Sequence, residues 1–443
     1  VTRDGAAEVP PTEGSTSIAA PAGAVAAGGL LRHSAPGPPS TRLEAAARRM
    51  VLVAGGRGQG GTIEVTEAGR TRRLGAGEPV ARVAVHDPRA YGALLRSGSV
   101  GLGSSYVAGW WDADDLTTLV QILFRRTRTL RARLDLLGRT ARPLLDMPAR
   151  LTAPGPVDDR RNVRAHYDLS NDFFGLMLDE TMTYSCALFE HPEATLADAQ
   201  LAKLDRICVK LDLQPDDRVV EIGSGWGGFA LHAAERYGCR VTTTTISEAQ
   251  RTHVAKRVAE TGLADRVTVL GDDWRVLRGR FDKLVSVEMI EAVDWRHHDQ
   301  FLKACAALLA DDGVAALQAI VIDDRSFERA KRHQDFVRRM VFPGGCLPSV
   351  ASITASLARA TDLRLVDLED IGRHYAETLR RWAANLRARQ ADLERLRVEP
   401  GFRRLWALYL AYCEASFLER HVSDVQLVLA KPAWRGQLRA RSV

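Results

Sequence analysis

The sequence predicts an α/β protein, a mostly parallel seven-stranded sheet covered by helices on both faces. Helical insertions interrupt it late, and a small α+β unit precedes it. Three observations carry this prediction. Short apolar runs alternate with helical periodicity through the C-terminal part of the chain, the pattern of a parallel sheet. One of those runs, Arg218 to Ile222, breaks into Gly223, Gly225 and Gly227 before a helical segment from Phe229 to Tyr237. Strand, glycine turn and helix form the ligand-binding start of an open α/β sheet. Far upstream, Gly61–Thr66 and Val80–Val85 alternate like strands and belong to a separate unit.

Composition sets the outer limits. At 443 residues, 46% of them hydrophobic, the chain has length for two or three domains and a sizeable core. The formal charge of +6 suits either nucleic acid or an anionic membrane surface. The six cysteines (Cys186, Cys208, Cys239, Cys305, Cys346 and Cys413) are scattered with no C-x-x-C pair, which argues against a zinc site or a disulfide framework and for a reducing cytoplasm, and no metal is expected. No apolar run approaches the roughly 20 residues of a membrane span. Ile18–Leu31 lacks a leucine-rich core behind a basic start, so it does not read as a signal peptide.

Residues 1–40 are rich in Pro, Gly, Ala, Ser and Thr, and are expected to be disordered. Residues 41–145 form the expected small α+β domain. In it Asp87-Pro88 opens a helix through Leu95, and the Trp110-Trp111 pair reads as core or domain interface. A long helix, Leu116 to Leu137, carries Arg125, Arg126, Arg128, Arg131 and Arg133, and the run continues through Arg139, Arg142, Arg150, Arg160 and Arg161. Such runs are commonly solvated faces. With a lipid substrate this one becomes a dock for anionic headgroups, at roughly 1 kcal/mol per basic residue. Asn162–Phe189, dense in polar and aromatic groups, is expected to form a lid. Residues 146–443 form the expected catalytic domain, with strands at Val219–Ile222, Arg240–Thr245, Val267–Leu270, Asp282–Val287, Val314–Ile322, Leu363–Leu368 and Val425–Ala430. Asp323–Ala360 and Tyr375–Leu396 read as helical insertions over the strand ends.

The glycine spacing narrows the ligand. A dinucleotide fold shows G-x-G-x-x-G and seats a pyrophosphate on the helix. Here the pattern is E-x-G-x-G-x-G, beginning at Glu221, which suits a ligand with no phosphate and a cationic amino-acid tail. S-adenosylmethionine (SAM) is such a ligand. Glu221 is then expected near its ammonium group, and Gly223 and Gly225 beside its ribose and methionine. A glycine turn with no ligand is also common, so other residues must decide.

Those residues are His166-Tyr167-Asp168-Leu169-Ser170-Asn171-Asp172, Tyr184-Ser185-Cys186, Thr245-Ile246-Ser247-Glu248-Ala249-Gln250, Phe342-Pro343-Gly344-Gly345-Cys346-Leu347-Pro348-Ser349 and His374-Tyr375-Ala376-Glu377-Thr378-Leu379. With the glycine motif and Trp226 they resemble the cyclopropane-fatty-acyl-phospholipid synthase family, which includes mycolic-acid cyclopropane synthases and 10-methylene fatty acid synthases. The resemblance spans about residues 160 to 430. The region from Arg42 to about Leu137, with Gly101-Leu102-Gly103-Ser104-Ser105-Tyr106, is similar to the N-terminal domain of phospholipid-acting members. It implies a seven-stranded, Rossmann-like SAM-dependent methyltransferase fold. It also implies methyl transfer to a cis double bond of a phospholipid acyl chain, giving a cyclopropane or, as the alternative, a 10-methylene chain.

The resemblance further implies site residues. Tyr184 and Ser185 match positions at the methionine end of the cofactor, and Gly223 and Gly225 its turn. Thr245, Ile246 and Gln250 come from the second strand end, and Trp274 lies against adenine. A bound bicarbonate is the expected base, held by Cys186 through its backbone, Glu291 and Tyr375. One departure stands out: where many members have His-Thr-Ile, this chain has Gln318-Ala319-Ile320. Gln318 can donate to an anion but carries no charge. The base is then held less tightly, and other proton losses compete. Cys413 matches a cysteine proposed as a nucleophile, although a core thiol suits a reaction in which the alkene attacks. His166 reads as a packing or capping residue. A membrane-peripheral homodimer is expected, with a partner reductase for a methylene product. A nucleic-acid methyltransferase would show N-P-P-Y where this chain has Met289-Ile290-Glu291-Ala292. A small-molecule methyltransferase would leave the arginine-rich helix idle, and a scaffold would leave the cofactor pattern unused.

Overall fold

The computed structural model describes residues 42–56, 58–136 and 171–437. The expected disorder of 1–40, the 145/146 boundary, His166 and the arginines from Arg139 to Arg161 lie outside these residues. The side chains of Arg131 and Arg133 do too.

The N-terminal unit opens with helix α1 (Arg42–Gly56) and a sheet of β1 (Gly61–Glu67), β2 (Arg70–Ala76), β3 (Val80–Val85) and β4 (Trp111–Ala113), in the order β2-β1-β3-β4. The sequence pattern missed β2. It is an edge strand whose first four residues are all exposed, so no buried alternation marks it. Helix α2 runs from Arg89 to Val107, well past the expected end, and is kinked at Gly98 (φ 53°, ψ −127°). Its second half holds Gly101 and Gly103 because neighbours press on them. A Cβ at Gly101 would overlap the Ala93 carbonyl, and one at Gly103 the Phe336 ring. Helix α3 spans Leu116–Leu136. Two of its arginines turn inward, away from any lipid dock. Arg125 Nε donates to Glu419 at 2.8 Å, and Arg126 donates to the carbonyls of Gly55, Gly61 and Leu74 at 3.2, 2.9 and 2.8 Å.

The main sheet has the order β10-β11-β9-β8-β5-β6-β7, and of its seven strands only β11 runs against the rest. In chain order the elements are α4 (Asn171–Met177), α5 (Leu196–Lys210), β5 (Arg218–Ile222), α6 (Gly228–Tyr237), β6 (Arg240–Thr244), α7 (Glu248–Glu260), β7 (Val267–Leu270) and β8 (Phe281–Val287). Then come α8 (His298–Leu308), β9 (Leu309–Ile322), α9 (Asp324–Ala330), α10 (Phe336–Met340), α11 (Val350–Ala360), β10 (Arg364–Asp370), α12 (Gly372–Ala388), α13 (Gln390–Arg395), α14 (Pro400–Leu418) and β11 (Val422–Ala430). Every expected strand is present. Because β11 is antiparallel, its first residues pair with the last of β9, Asp424 opposite Ile320 and Gln426 opposite Gln318. That reversal brings Asp424 to the edge where the parallel strands end.

Helix α14 was not expected. It buries Phe402, Leu405, Trp406, Leu408, Tyr409 and Leu410, so its apolar surface reaches around the helix and its amphipathic signal is weak. It joins the two parts of the molecule. Arg404 donates to the carbonyls of Tyr106 and Trp111 at 2.7 and 2.8 Å, pairs with Asp112 at 2.8 Å, and lies 4.0 Å over the Tyr106 ring. Trp111 is buried and donates to Ser105 Oγ at 2.9 Å. One apolar cluster therefore runs from the N-terminal unit through α12 and α14, while two others cover the faces of the main sheet. No helix among the described residues is long and apolar enough to cross a membrane.

Candidate active site

The glycine turn after β5 favours glycine at each of its three positions. Gly223, Gly225 and Gly227 have φ of 97°, 49° and 88°, a region that favours residues without a Cβ. A Cβ on Gly223 would also stand 3.1 Å from Met289 Cγ. The amides of Gly223 and Ser224 donate to the Thr244 carbonyl at 3.0 and 2.9 Å, which pins the turn to β6. Beside it opens a cavity of about 1150 Å³, mouth included.

All nine residues expected to meet the cofactor line this one cavity: Tyr184, Ser185, Glu221, Gly223, Gly225, Thr245, Ile246, Gln250 and Trp274. Glu221 accepts from Thr243 Oγ1 at 2.5 Å, and burial pushes its carboxyl up to about 7. Thr245 Oγ1 holds Gln250 Oε1 at 2.8 Å, which leaves the Gln250 amide hydrogens for a ligand. Trp274 meets Phe301 edge-on at 5.3 Å, with the Arg275 guanidinium 4.7 Å over its ring. Of the lid, the described part covers the glycine turn. Asn171 Oδ1 accepts from Trp226 Nε1 at 2.8 Å, and Met182 and Thr183 join the cavity wall. The residues fit SAM: an acid for its ammonium group, amide and hydroxyl groups for its ribose, a Trp for its adenine, and a turn without side chains.

The opposite wall corrects the expected base site. Cys186 N and Tyr375 OH do converge, but on Glu288 rather than around a space bordered by Glu291. Glu288 Oε1 accepts from Cys186 N and Gln318 Nε2, each at 2.8 Å, and Oε2 accepts from Tyr375 OH at 2.5 Å. Gln318 Nε2 also donates to Asp424 Oδ2 at 2.8 Å, and its Oε1 accepts from Gln426 Nε2 at 3.1 Å. The glutamine thus spends both amide hydrogens on two carboxyl groups. A neutral histidine, with one ring N–H, could not do so. Glu288 sits at φ 49°, unusual for a residue with a side chain, at a cost of roughly 1–2 kcal/mol. Such strain gathers at functional sites.

Glu291 follows in the 3-10 turn Ile290–Ala292 and faces elsewhere. Its Oε1 accepts from Ile320 N, and its Oε2 is buried with no hydrogen-bond partner among the described residues. Of Glu288, Glu291, Tyr375 and Asp424, only Glu288 is on the cavity wall. Removal from water, then the Glu288 charge, pushes Glu291 up to about 8. Burial and the neighbouring carboxylates push Asp424 well up, and burial pushes Glu288 up beside it, against the hydrogen bonds from Tyr375, Cys186 and Gln318 that favour its charged form. Its counter-charge is Lys203, fully buried on α5 with Nζ on Ser185 Oγ at 2.7 Å.

Sequence reasoning missed Glu288, Asp424 and Lys203. For Glu288 a signal was present. It is the first residue past β8, whereas Glu291 stands a full turn further on. Cys413 lies on α14 against the shared apolar cluster, off the cavity wall, and burial pushes its thiol up. The nucleophile match therefore has no site around it, and the core-thiol reading suits its surroundings. No cluster of metal-ligating side chains exists among the described residues.

Residues 156–427 match the profile of the mycolic acid cyclopropane synthetase family. The chain is 37% identical over 370 residues to a tuberculostearic acid methyltransferase of Mycobacterium tuberculosis, covering 81% of this chain and 85% of that one. It is 33% identical over 371 residues to the cyclopropane-fatty-acyl-phospholipid synthase of Escherichia coli, covering 82% and 92%. Among solved structures, a mycolic acid cyclopropane synthase complexed with SAH and CTAB aligns with TM-score 0.58 and 33% identity, over 62% of this chain and 99% of that one.

Proposed function

Since this chain belongs to the mycolic acid cyclopropane synthetase family, we propose that it transfers the methyl group of SAM to the cis double bond of an unsaturated phospholipid acyl chain. One observation carries the reading: nine residues suited to SAM line a single cavity that Glu288 also lines. When bound, SAM supplies an electrophilic methyl group to the alkene, leaving positive charge on the acyl chain. Gly223 and Gly225 keep the turn clear of side chains, Glu221 faces the ammonium end, and Trp274 closes the adenine end. Tyr184, held by Tyr409 OH at 2.9 Å, and Ser185, held by Lys203, shape the methionine end.

Loss of the proton from the new methyl group closes a cyclopropane ring, which is the first reading. Methylation ending in a 10-methylene chain is the second. The resemblance to a relative named a methyltransferase favours it. Only that product would call for a partner reductase. The N-terminal unit, residues 41–145, is read as the lipid-associated part of a membrane-peripheral homodimer. Its affinity for anionic vesicles and the mass of the protein in light scattering test those two points.

A bound bicarbonate does not fit this site. The donors expected to hold it, Cys186 N and Tyr375 OH, are spent on Glu288, and Gln318 has no hydrogen left. The reading is tested by incubating the full chain with SAM and oleoyl phospholipid vesicles. The acyl chains should gain one methylene mass, and NMR distinguishes ring from methylene. No gain with any unsaturated phospholipid refutes the proposal.

A further inference from the structure

Resting on the methylation reading above, we propose that Glu288 is the resident base of this enzyme, its side-chain carboxylate occupying the place that a free small anion would otherwise fill. A carboxylate and a bicarbonate ion present the same planar O–C–O edge to hydrogen-bond donors. Three donors from three separate elements aim at that edge: the Cys186 amide, the Gln318 amide nitrogen and the Tyr375 hydroxyl. Together they form an anion-binding site, and the chain fills it with its own side chain.

Four further features point the same way. Glu288 lines the cofactor cavity, whereas Glu291, Tyr375 and Asp424 do not. Its backbone is held in the left-handed region at φ 49°, with its amide donating to the Gln318 carbonyl at 2.8 Å, so the side chain is aimed rather than free. Gln318 ties Glu288 to Asp424, and the charge of Glu288 acts on fully buried Lys203 nearby. Finally, the hydrogen bonds hold both carboxylate oxygens in place and draw electron density from them. That answers the chief objection to a carboxylate beside a carbocation, namely alkylation of the carboxylate itself. The step balances: a C–H bond of the methylated acyl cation breaks, its electron pair forms the ring or double bond, and its proton passes to Glu288. Solvent takes that proton before the next turnover.

The test compares bicarbonate dependence. Full-length enzyme is assayed with SAM and oleoyl phospholipid vesicles in buffer stripped of carbon dioxide, then with added bicarbonate. The same proteins are titrated with bicarbonate in a calorimeter. Wild type should run at the same rate in both buffers and take up no bicarbonate. Glu288→Gly, which suits a positive φ and empties the anion site, should lose about 10²–10⁴-fold in turnover in stripped buffer. It should also acquire a bicarbonate-binding heat, and added bicarbonate should raise its rate by roughly tenfold or more. SAM binding by the variant confirms that it is folded. Wild-type methylation that stops without bicarbonate overturns the inference and leaves the methylation reading intact. So does Glu288→Gly turning over at the wild-type rate in stripped buffer. Absence of any methylated lipid from wild type in either buffer overturns both.

Discussion

The two walls of the cavity are built in opposite ways. The cofactor wall is mostly backbone: a glycine turn pinned to Thr244, with a few side chains placed by the ends of β5, β6 and β7. The opposite wall is reached by Glu288 alone, and behind it lies a charged cluster that the Cys186 backbone, β8, β9, α12 and β11 bring together. A wall of backbone is rigid without needing any ion to be compensated. A wall that handles protons must keep ionisable groups out of water, which is tolerable only when each is paired. Damage to the first should therefore appear as lost affinity, and damage to the second as lost stability or turnover.

The strongest way to break this contrast is Lys203→Met. Lys203 is fully buried and faces Glu288, Asp424 and Glu221 across the site. Removing it leaves buried acids without their cation, and a cost of about 3–5 kcal/mol is expected. Urea unfolding at pH 7 measures it. A loss within experimental error would mean that the charged wall does not depend on its pairing.

Next in size is a pH effect centred on Glu291. Its carboxyl is raised from 4.5 to about 8 in the folded protein, so the folded state holds a proton that the unfolded state has lost. The stability this contributes is complete below pH 4.5 and disappears as pH rises through 8. Glu221, raised to about 7, acts with the same sign and leaves a residual slope. Glu291→Gln should flatten the fall in stability between pH 5 and 9, recovering on the order of 5 kcal/mol at the alkaline end. An unchanged slope in repeated urea titrations would remove Glu291 from the buried acids.

These charged residues are also where the sequence was least legible, for a reason the chain itself displays. Gly223 and Gly225 follow directly on a strand and their spacing marked them, while Thr245 and Gln250, close to the next strand end, came from the resemblance. The Glu288 cluster is closed by contacts across 102, 87 and 30 residues, with Asp424 added across 106. No local period encodes such contacts. Lys203 on an amphipathic helix reads as a solvated lysine until the fold buries it. Asp424 reaches the site only because β11 is reversed, and strand direction is not written in β11 itself. The same limit hid α14, whose apolar surface has no single face, and β2, which has hardly any. The resemblance located the donors Cys186 and Tyr375. It did not name Glu288, to which both of those donors are hydrogen-bonded, because a match by position does not show which side chains meet.

A paired experiment sharpens the contrast at smaller amplitude. Tyr375→Phe removes one hydrogen bond to a charged group, worth about 1.5–3 kcal/mol, so turnover should fall roughly 10–100-fold with SAM affinity unchanged. Gly223→Ala forces a Cβ at φ 97°, 3.1 Å from Met289 Cγ. It should weaken SAM binding roughly tenfold while turnover at saturation persists. Calorimetric SAM titration beside single-turnover kinetics separates the two. If each variant changed both parameters equally, the walls would not be functionally distinct.

The smallest expected effect is at Cys413, and its smallness is the point. The residue lies on α14, away from the cavity, among the aromatic side chains that join the N-terminal unit to the cap. Burial keeps its thiol protonated, and a protonated thiol is a poor nucleophile. The alkene needs no covalent partner on the protein. Cys413→Ala should cost about 1 kcal/mol of stability, as a small loss of packing does. Turnover should remain within about twofold, a difference of less than RT in the barrier. A hundredfold loss of turnover in a variant that binds SAM and unfolds normally would require chemistry on α14. The division of labour between a backbone wall and a charged wall would then be incomplete.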